Sequence, residues 1–328
     1  MKPELGLSLG DPAGIGPEVT LRAAANARVR RACRLVVYGD EQVLELTRRR
    51  LGISRTAATA ITRIEAVRSL RARAALPKPG RACGAAAFAF LDAAAHAVAA
   101  GEHDALVTAP INKLWMQRAG HDYDGHTGYL SELAGTEATM MLAGRTLRVV
   151  LATTHIALKD VAGHLGTDAI VRAARATIEH LRVFHAVAKP RLAVAALNPH
   201  AGEEGLFGDE ESRIIEPAVR ALRRSRQAVE GPFPADTLFA TARTGHYDAV
   251  VCMYHDQALI PLKLLEFGRS VNVSMGLPFI RTSPDHGTAY DVAGTGQAKP
   301  DSMIEAILVA AQMVRSASGA SIQRRRKR

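Results

Sequence analysis

Three cysteines in 328 residues (Cys33, Cys83 and Cys252) are too few and too scattered for a disulfide framework. That suits a reducing compartment, and the cytoplasm is the expected location. Aromatic residues are scarce as well: one Trp, six Tyr and eight Phe leave little for stacking against bases. No nucleic-acid partner is therefore expected, and the net charge of +10 suits small anionic ligands such as phosphates. Part of that charge sits in Arg48-Arg49-Arg50 and Arg324-Arg325-Arg326, which read as solvated faces or a tail. No apolar run approaches the roughly 20 residues of a membrane span, and no charged-then-apolar leader opens the chain. Neither a membrane partner nor secretion is expected. A dinucleotide fingerprint is missing too. The glycines of GDPAGIGPE (residues 10–18) are not spaced G-x-G-x-x-G, and no acidic residue closes a following strand.

What is present is an ordinary enzyme composition, 48% hydrophobic, with short apolar runs alternating with helical patterns. That alternation predicts an α/β fold with a mostly parallel sheet. Strands are expected at Leu5–Leu9, Leu35–Tyr38, Ala105–Thr108 and Leu192–Ala196, and a hairpin from Ala138–Leu142 and Leu147–Ala152 around Gly144. Gly84–Ala100, Asp168–Phe184 and Ser212–Arg224 read as helices, and Pro17 suits a first helical position. The Arg/Ala-rich stretch 47–75 resists assignment to an element.

The chemistry concentrates between Tyr254 and Gly296. His255 and Asp256 follow the apolar run 249–253, which places them at the C-terminal mouth of a buried strand, where open α/β sheets bind ligands. Lys263, Asn272 and Arg281 add a point charge, an amide and a planar fork, with Arg281 expected in a turn. DHGTAYDVAGTG (285–296) is a glycine-dense loop whose backbone N–H groups can approach a phosphate.

Two further histidines repeat the context of His255. His155 and His200 also follow apolar runs and precede polar loops. Three imidazoles suffice for a divalent ion with an open position, with Asp236 and Asp256 to orient them. The spacing is not a metal motif, and each histidine capping a strand is the competing explanation. His126 and Thr127 precede a helix, with Thr127 an expected N-cap. His96 and His121 carry no such context and read as a boundary and a solvated histidine.

GDPAGIGPE, PINK, GHT, ATTH, LNPHAGEEG, GPFPADTLF, YHDQALIPLK, VNVSMGLPFIRTS and DHGTAYDVAGTG occur in one order over almost the whole chain. In this they resemble the 4-hydroxythreonine-4-phosphate dehydrogenases of pyridoxal phosphate synthesis. The resemblance implies an isocitrate/isopropylmalate dehydrogenase-like fold, two α/β domains with a cleft between them. Residues 1–125 plus 272–328 would form the nucleotide-side domain and 126–271 the metal, substrate and dimerisation domain. It also implies a homodimer with the active site at its interface, and NAD or NADP with one zinc, magnesium or cobalt ion per subunit. Metal ligands would fall on His155, His200 and His255, and substrate contacts on His126, Thr127, Lys263, Asn272 and Arg281. The nucleotide would lie against His286, Gly287, Thr288 and Asp291.

The implied reaction oxidises 4-phosphohydroxy-L-threonine to 2-amino-3-oxo-4-phosphooxybutanoate, which decarboxylates to 3-amino-2-oxopropyl phosphate. Lys263 or a metal-held water would take the alcohol proton, with Asp236 and Asp256 in supporting catalytic roles. The chain departs from the family pattern at Gly128, where an acidic residue is common, and at Ala157, where a Pro is common. Both flank the expected substrate pocket. A dehydrogenase of 4-phospho-threonate or 4-phospho-erythronate is therefore the near alternative, and a metal-dependent phosphohydrolase a remote one.

Overall fold

A computed structural model describes residues 2–54, 59–67, 70 and 76–326, with 318–326 given by backbone alone. The strands are β1 (Glu4–Ser8), β2 (Arg34–Gly39), β3 (Ile61–Ala66), β4 (Ala105–Thr108), β5 (Thr139–Ala143) and β6 (Arg148–Leu151). They continue with β7 (Arg191–Ala195), β8 (Ala228–Phe233), β9 (Ala249–Cys252), β10 (Val271–Met275) and β11 (Arg281–Pro284). The chain divides into two compact units, Met1–Ala138 with Gly276–Arg315, and Thr139–Met275 with Ser316–Arg328.

In the first unit the strand order is β3-β2-β1-β4-β11, every pair parallel. Parallel strands are covered on both faces, which is why β2 and β4 read as unbroken apolar runs, Leu35 to Tyr38 and Ala105 to Thr108. The helix Gly16–Ala25 follows β1, with Pro17 in its first turn as expected. The helix Arg81–Ala99 packs Leu91, Ala94, Ala95 and Val98 onto Val36, Tyr38 and Leu106. By length and composition this helix could cross a membrane, which corrects the expectation that no run is long or apolar enough. Its small-residue face against the sheet is that of a core helix.

The second unit has the order β10-β5-β6-β9-β7-β8. β5 pairs antiparallel with both β10 and β6, whereas β6, β9, β7 and β8 pair in parallel. The β5–β6 hairpin closes through the Gly144 N–H on the Leu147 carbonyl at 2.8 Å. Glu266, 6% exposed, braces that turn by accepting both the N–H and the hydroxyl of Thr146 at 2.8 Å. Val149, Leu151, Val250, Ala193 and Leu262 form its core.

Several expectations are corrected. The helix expected from Ser212 begins with a π-turn at Glu211–Ile215 and becomes α-helical only at Glu216. Of the stretch 47–75, the helix Glu41–Arg50 takes the start and β3 the middle. Residues 55–58, 68–69 and 71–75 lie outside the described residues. The three cysteines are free and buried.

Candidate active site

In the second unit the exits of β6, β7 and β9 are tied together by side chains. Thr153 donates to the Met253 carbonyl at 2.6 Å. Gln257 accepts from the Met253 N–H at 2.7 Å and donates to the Ala196 carbonyl at 2.6 Å. These bonds fix the segments that carry His155 and His255, whose ring centroids lie 5.7 Å apart at 45°. His255 Nδ1 is 2.7 Å from Asp256 Oδ1. With the proton on Nδ1, that carboxylate fixes the ring and leaves Nε2 to coordinate. A pocket of about 480 Å³ is lined by His155, His255, Asp256, Tyr254, Leu158 and Ile260.

His255 does not precede a polar loop, as expected, but is the first residue of the helix His255–Glu266. His200 stands in a left-handed turn, with positive φ at His200, Ala201, Glu203 and Glu204. Glu211, 4% exposed, holds that loop by accepting the N–H groups of Leu197 and Asn198 at 2.8 Å and the Asn198 amide at 3.0 Å. His200 does not join the other two: among the described residues no three His, Cys, Asp or Glu are grouped to hold a metal. Two adjacent imidazoles, one braced by a carboxylate, fit part of a divalent-ion site. Asp236 is exposed in the first turn of the helix Ala235–Ala242. Lys263 is half-buried on the His255 helix, and Asn272 on β10 has its amide oxygen buried without a hydrogen-bond partner.

The first unit holds three of the expected substrate contacts, His126, Thr127 and Arg281. Arg281 lies on β11 itself, not in a turn, and is 2% exposed. Its guanidinium donates to the Thr108 hydroxyl at 2.7 Å, and burial pushes its pKa down to about 9. His126 is held well below the usual histidine range, first by burial and then by the charges of Arg281 and Lys113. It is therefore neutral, and its Nε2 is buried without a hydrogen-bond partner. Thr127 is not the N-cap; Asp124 is, and both His126 and Thr127 sit in the first turn of the helix Gly125–Ala134. A buried fork beside a neutral imidazole suits a phosphate or carboxylate.

The glycine-rich loop is built against the first strand's exit. Ile15 N–H donates to the Thr288 carbonyl at 2.9 Å, and a Cβ on Gly14 would stand 2.8 Å from that oxygen, so only glycine permits the approach. Asp11 is fully buried and accepts the Tyr290 hydroxyl at 2.5 Å and the Ala13 N–H at 2.8 Å. Glu18, 1% exposed, accepts from Gly294 N at 3.1 Å, Gly296 N at 3.4 Å and Ala298 N at 3.2 Å. Those three amides serve an internal carboxylate. His286 is half-buried with Nε2 unpartnered and its pKa lowered by burial, Thr288 is buried, and Gly287 and Asp291 are exposed.

The model of the family described as "Pyridoxal phosphate biosynthetic protein PdxA" matches residues 31–310. The chain belongs to the PdxA family. It is 48% identical to a 4-hydroxythreonine-4-phosphate dehydrogenase of Geobacter metallireducens, over 96% of each chain. A crystal structure of a 4-hydroxythreonine-4-phosphate dehydrogenase from Klebsiella pneumoniae aligns with a TM-score of 0.83. That alignment is at 39% identity and covers 95% of this chain and all of that one. An isocitrate dehydrogenase from Methylococcus capsulatus, 16% identical with a TM-score of 0.53 over 98% of this chain and 88% of its own, shares the fold alone. The isocitrate dehydrogenase-like α/β fold stands.

Beside the PdxA-family blocks that drew attention for their histidines, four residues escaped the sequence reading: Asp11, Glu18, Glu211 and Tyr290. The signal was there for Glu18, a carboxylate in the first turn of a helix whose neighbours Val19 and Leu21 are apolar and buried. Gly128, the departure beside His126, has open space around it; a Cβ there would meet only Asp124 at 3.8 Å. Packing therefore does not demand glycine at that position.

Proposed function

We propose that the protein is an NAD(P)-linked, metal-dependent dehydrogenase of 4-phosphohydroxy-L-threonine that works in pyridoxine 5'-phosphate synthesis. The observation that carries the chemistry is the His155–His255 pair, 5.7 Å apart, with Asp256 on the His255 ring. A divalent ion held by His155, His200 and His255 would supply Lewis-acid stabilisation of charge on the substrate alcohol.

The chain's own groups do the rest. Arg281 takes the phosphate or carboxylate with its fork, supported by His126 and Thr127. Asn272, with its amide oxygen buried and unpartnered, accepts a hydrogen bond from a substrate donor. Lys263 takes the alcohol proton, and Asp236 and Asp256 support the site around it. A dinucleotide would be held against His286, Gly287, Thr288 and Asp291 and would supply the hydride acceptor for the alcohol carbon. The 3-oxo acid so formed then loses CO₂, its carbonyl accepting the electron pair.

The active unit is a homodimer in the cytoplasm. Ile260, Leu264 and Phe267, exposed by 66%, 85% and 83%, recur at helical spacing beside Leu158 at 71%. A solvent-facing apolar row of that kind suits a second copy, which would complete the three-histidine set. Purified protein is assayed with 4-phosphohydroxy-L-threonine and with 4-phosphoerythronate, each with NAD and NADP. Nucleotide-dependent turnover of the first, lost on chelation and restored by a divalent ion, is expected. Turnover of the second substrate alone would reassign the protein to sugar-acid catabolism. Phosphate release without nucleotide would make it a phosphohydrolase.

A further inference from the structure

The loop 285–298 is tied down by two buried carboxylates, Asp11 and Glu18. Asp11 holds its start through Tyr290, while Glu18 holds its end through the N–H groups of Gly294, Gly296 and Ala298. Arg22 closes the arrangement from the same helix, 3.3 Å from Glu18 and donating to the Gly296 carbonyl at 2.6 Å. Buried carboxylates cost stability unless fully hydrogen-bonded, so Asp11 and Glu18 are not casual packing choices. Three backbone amides at alternate positions turn onto one anion, and here the anion is part of the chain. The loop's shape is thereby set before any ligand arrives. Its outward residues, Gly287 and Asp291, remain exposed.

We propose that Asp11 and Glu18 are positioning residues for the dinucleotide, pre-forming the loop that receives it. This rests on the reading of His286 to Asp291 as the nucleotide surface. Neither carboxylate touches the cofactor; each acts through the loop backbone or through Tyr290. Preorganisation of this kind shows in affinity, because an unformed loop must be ordered at the moment of binding.

The test measures NADH and NADPH dissociation constants by fluorescence titration of the whole protein, together with substrate KM and amide exchange over residues 285–298. Glu18→Gln turns an amide NH₂ toward the loop's N–H donors, and Asp11→Asn does the same to the Tyr290 hydroxyl. Each is expected to weaken nucleotide binding by roughly ten- to a hundredfold, the worth of one or two charge-assisted hydrogen bonds. Substrate KM should hold, and loop exchange should quicken in the free protein and slow again with nucleotide. Glu18→Asp should recover part of the affinity. His286→Ala serves as the control for the loop itself. If it weakens nucleotide binding while Glu18→Gln and Asp11→Asn bind as the parent does, the positioning role is overturned and the nucleotide surface stands. If all three bind as the parent does, the nucleotide surface itself is wrong and the inference falls with it. Equal loss of nucleotide and substrate binding would mean a merely structural role. Should the carboxylate variants not fold, Tyr290→Phe removes the hydroxyl's bonds to Asp11 and to Thr288, and unchanged nucleotide affinity in it overturns the Asp11 half of the inference. The loop-side variant Ala298→Pro deletes one N–H that Glu18 accepts, and unchanged affinity there overturns the other half.

Discussion

In the first unit Glu18 accepts the amides of the glycine-rich loop; in the second Glu211 accepts those of the His200 loop. Both carboxylates are nearly inaccessible, and each fixes an irregular segment that no strand or helix could shape. The candidate site residues of the two units are treated in opposite ways. Arg281 is buried and hydrogen-bonded within its own unit, and His126 is kept neutral beside it. His155 and His200 face solvent, and among the described residues no three His, Cys, Asp or Glu are grouped as a metal site would need. The buried guanidinium of Arg281 is fixed by folding alone. Exposed imidazoles gain their geometry from what they bind.

That difference sets what substitutions should do. His255→Ala should cut kcat by about a thousandfold or more while the melting temperature moves little, because the ring is partly exposed and a two-ligand site holds metal poorly. Adding His155→Ala should cost little further activity, since the ligands act as one unit. Steady-state kinetics with elemental analysis and thermal melts on the same samples decide it. Retained turnover after exhaustive chelation, with no metal detected, would remove the histidines from the reaction.

Arg281→Lys should show the contrary pattern, losing substrate affinity and stability together. The fork is lost, so substrate KM is expected to rise roughly ten- to a hundredfold. The Thr108 hydroxyl also loses its partner at the core of β4, which should cost about 1–3 kcal/mol in denaturant unfolding. An unchanged KM would take Arg281 out of the substrate pocket.

Strands were legible because their apolar runs are buried on both faces, as at Leu5 and Leu35. His155 and His255 were legible as residues that follow such runs. Two placements misled through punctuation. Pro261 inside the His255 helix reads as a breaker; at the seventh helical position it removes one N–H from the helical ladder without ending the helix. Gly276 and Pro278 ahead of β11 made Arg281 read as a turn residue. The loop clamp was out of reach for another reason. Glu18 and the amides it accepts lie 276 to 280 positions apart, so no local pattern pairs them. His200 could be read as a candidate, but its left-handed backbone, with several non-glycine residues in succession, could not.

The smallest effect expected here concerns pH and falls on the second unit. His180, on the helix Thr167–Phe184, is 4% exposed, and its ring lies 5.4 Å from that of His185. Both Nε2 atoms and Arg148 Nε are buried without hydrogen-bond partners. Burial, aided by His185 and Arg148, pushes His180 down to about 3; burial and Arg148 push His185 down to about 4. Asp248 offsets Arg148's charge, its backbone carbonyl accepting from the guanidinium at 3.3 Å. In the unfolded chain both histidines regain a pKa of about 6.5. The unfolded state thus binds more protons below that pH, and the stability present above about pH 6.5 is lost as pH falls toward 4 and then 3. His180→Leu removes one such group at the cost of a packing change that does not titrate. Its melting temperature should therefore fall less than the parent's between pH 7.5 and 5.0, by a few degrees. Calorimetric melts at both pH values check this; parallel shifts in the two proteins would show that His180 does not carry the acid sensitivity.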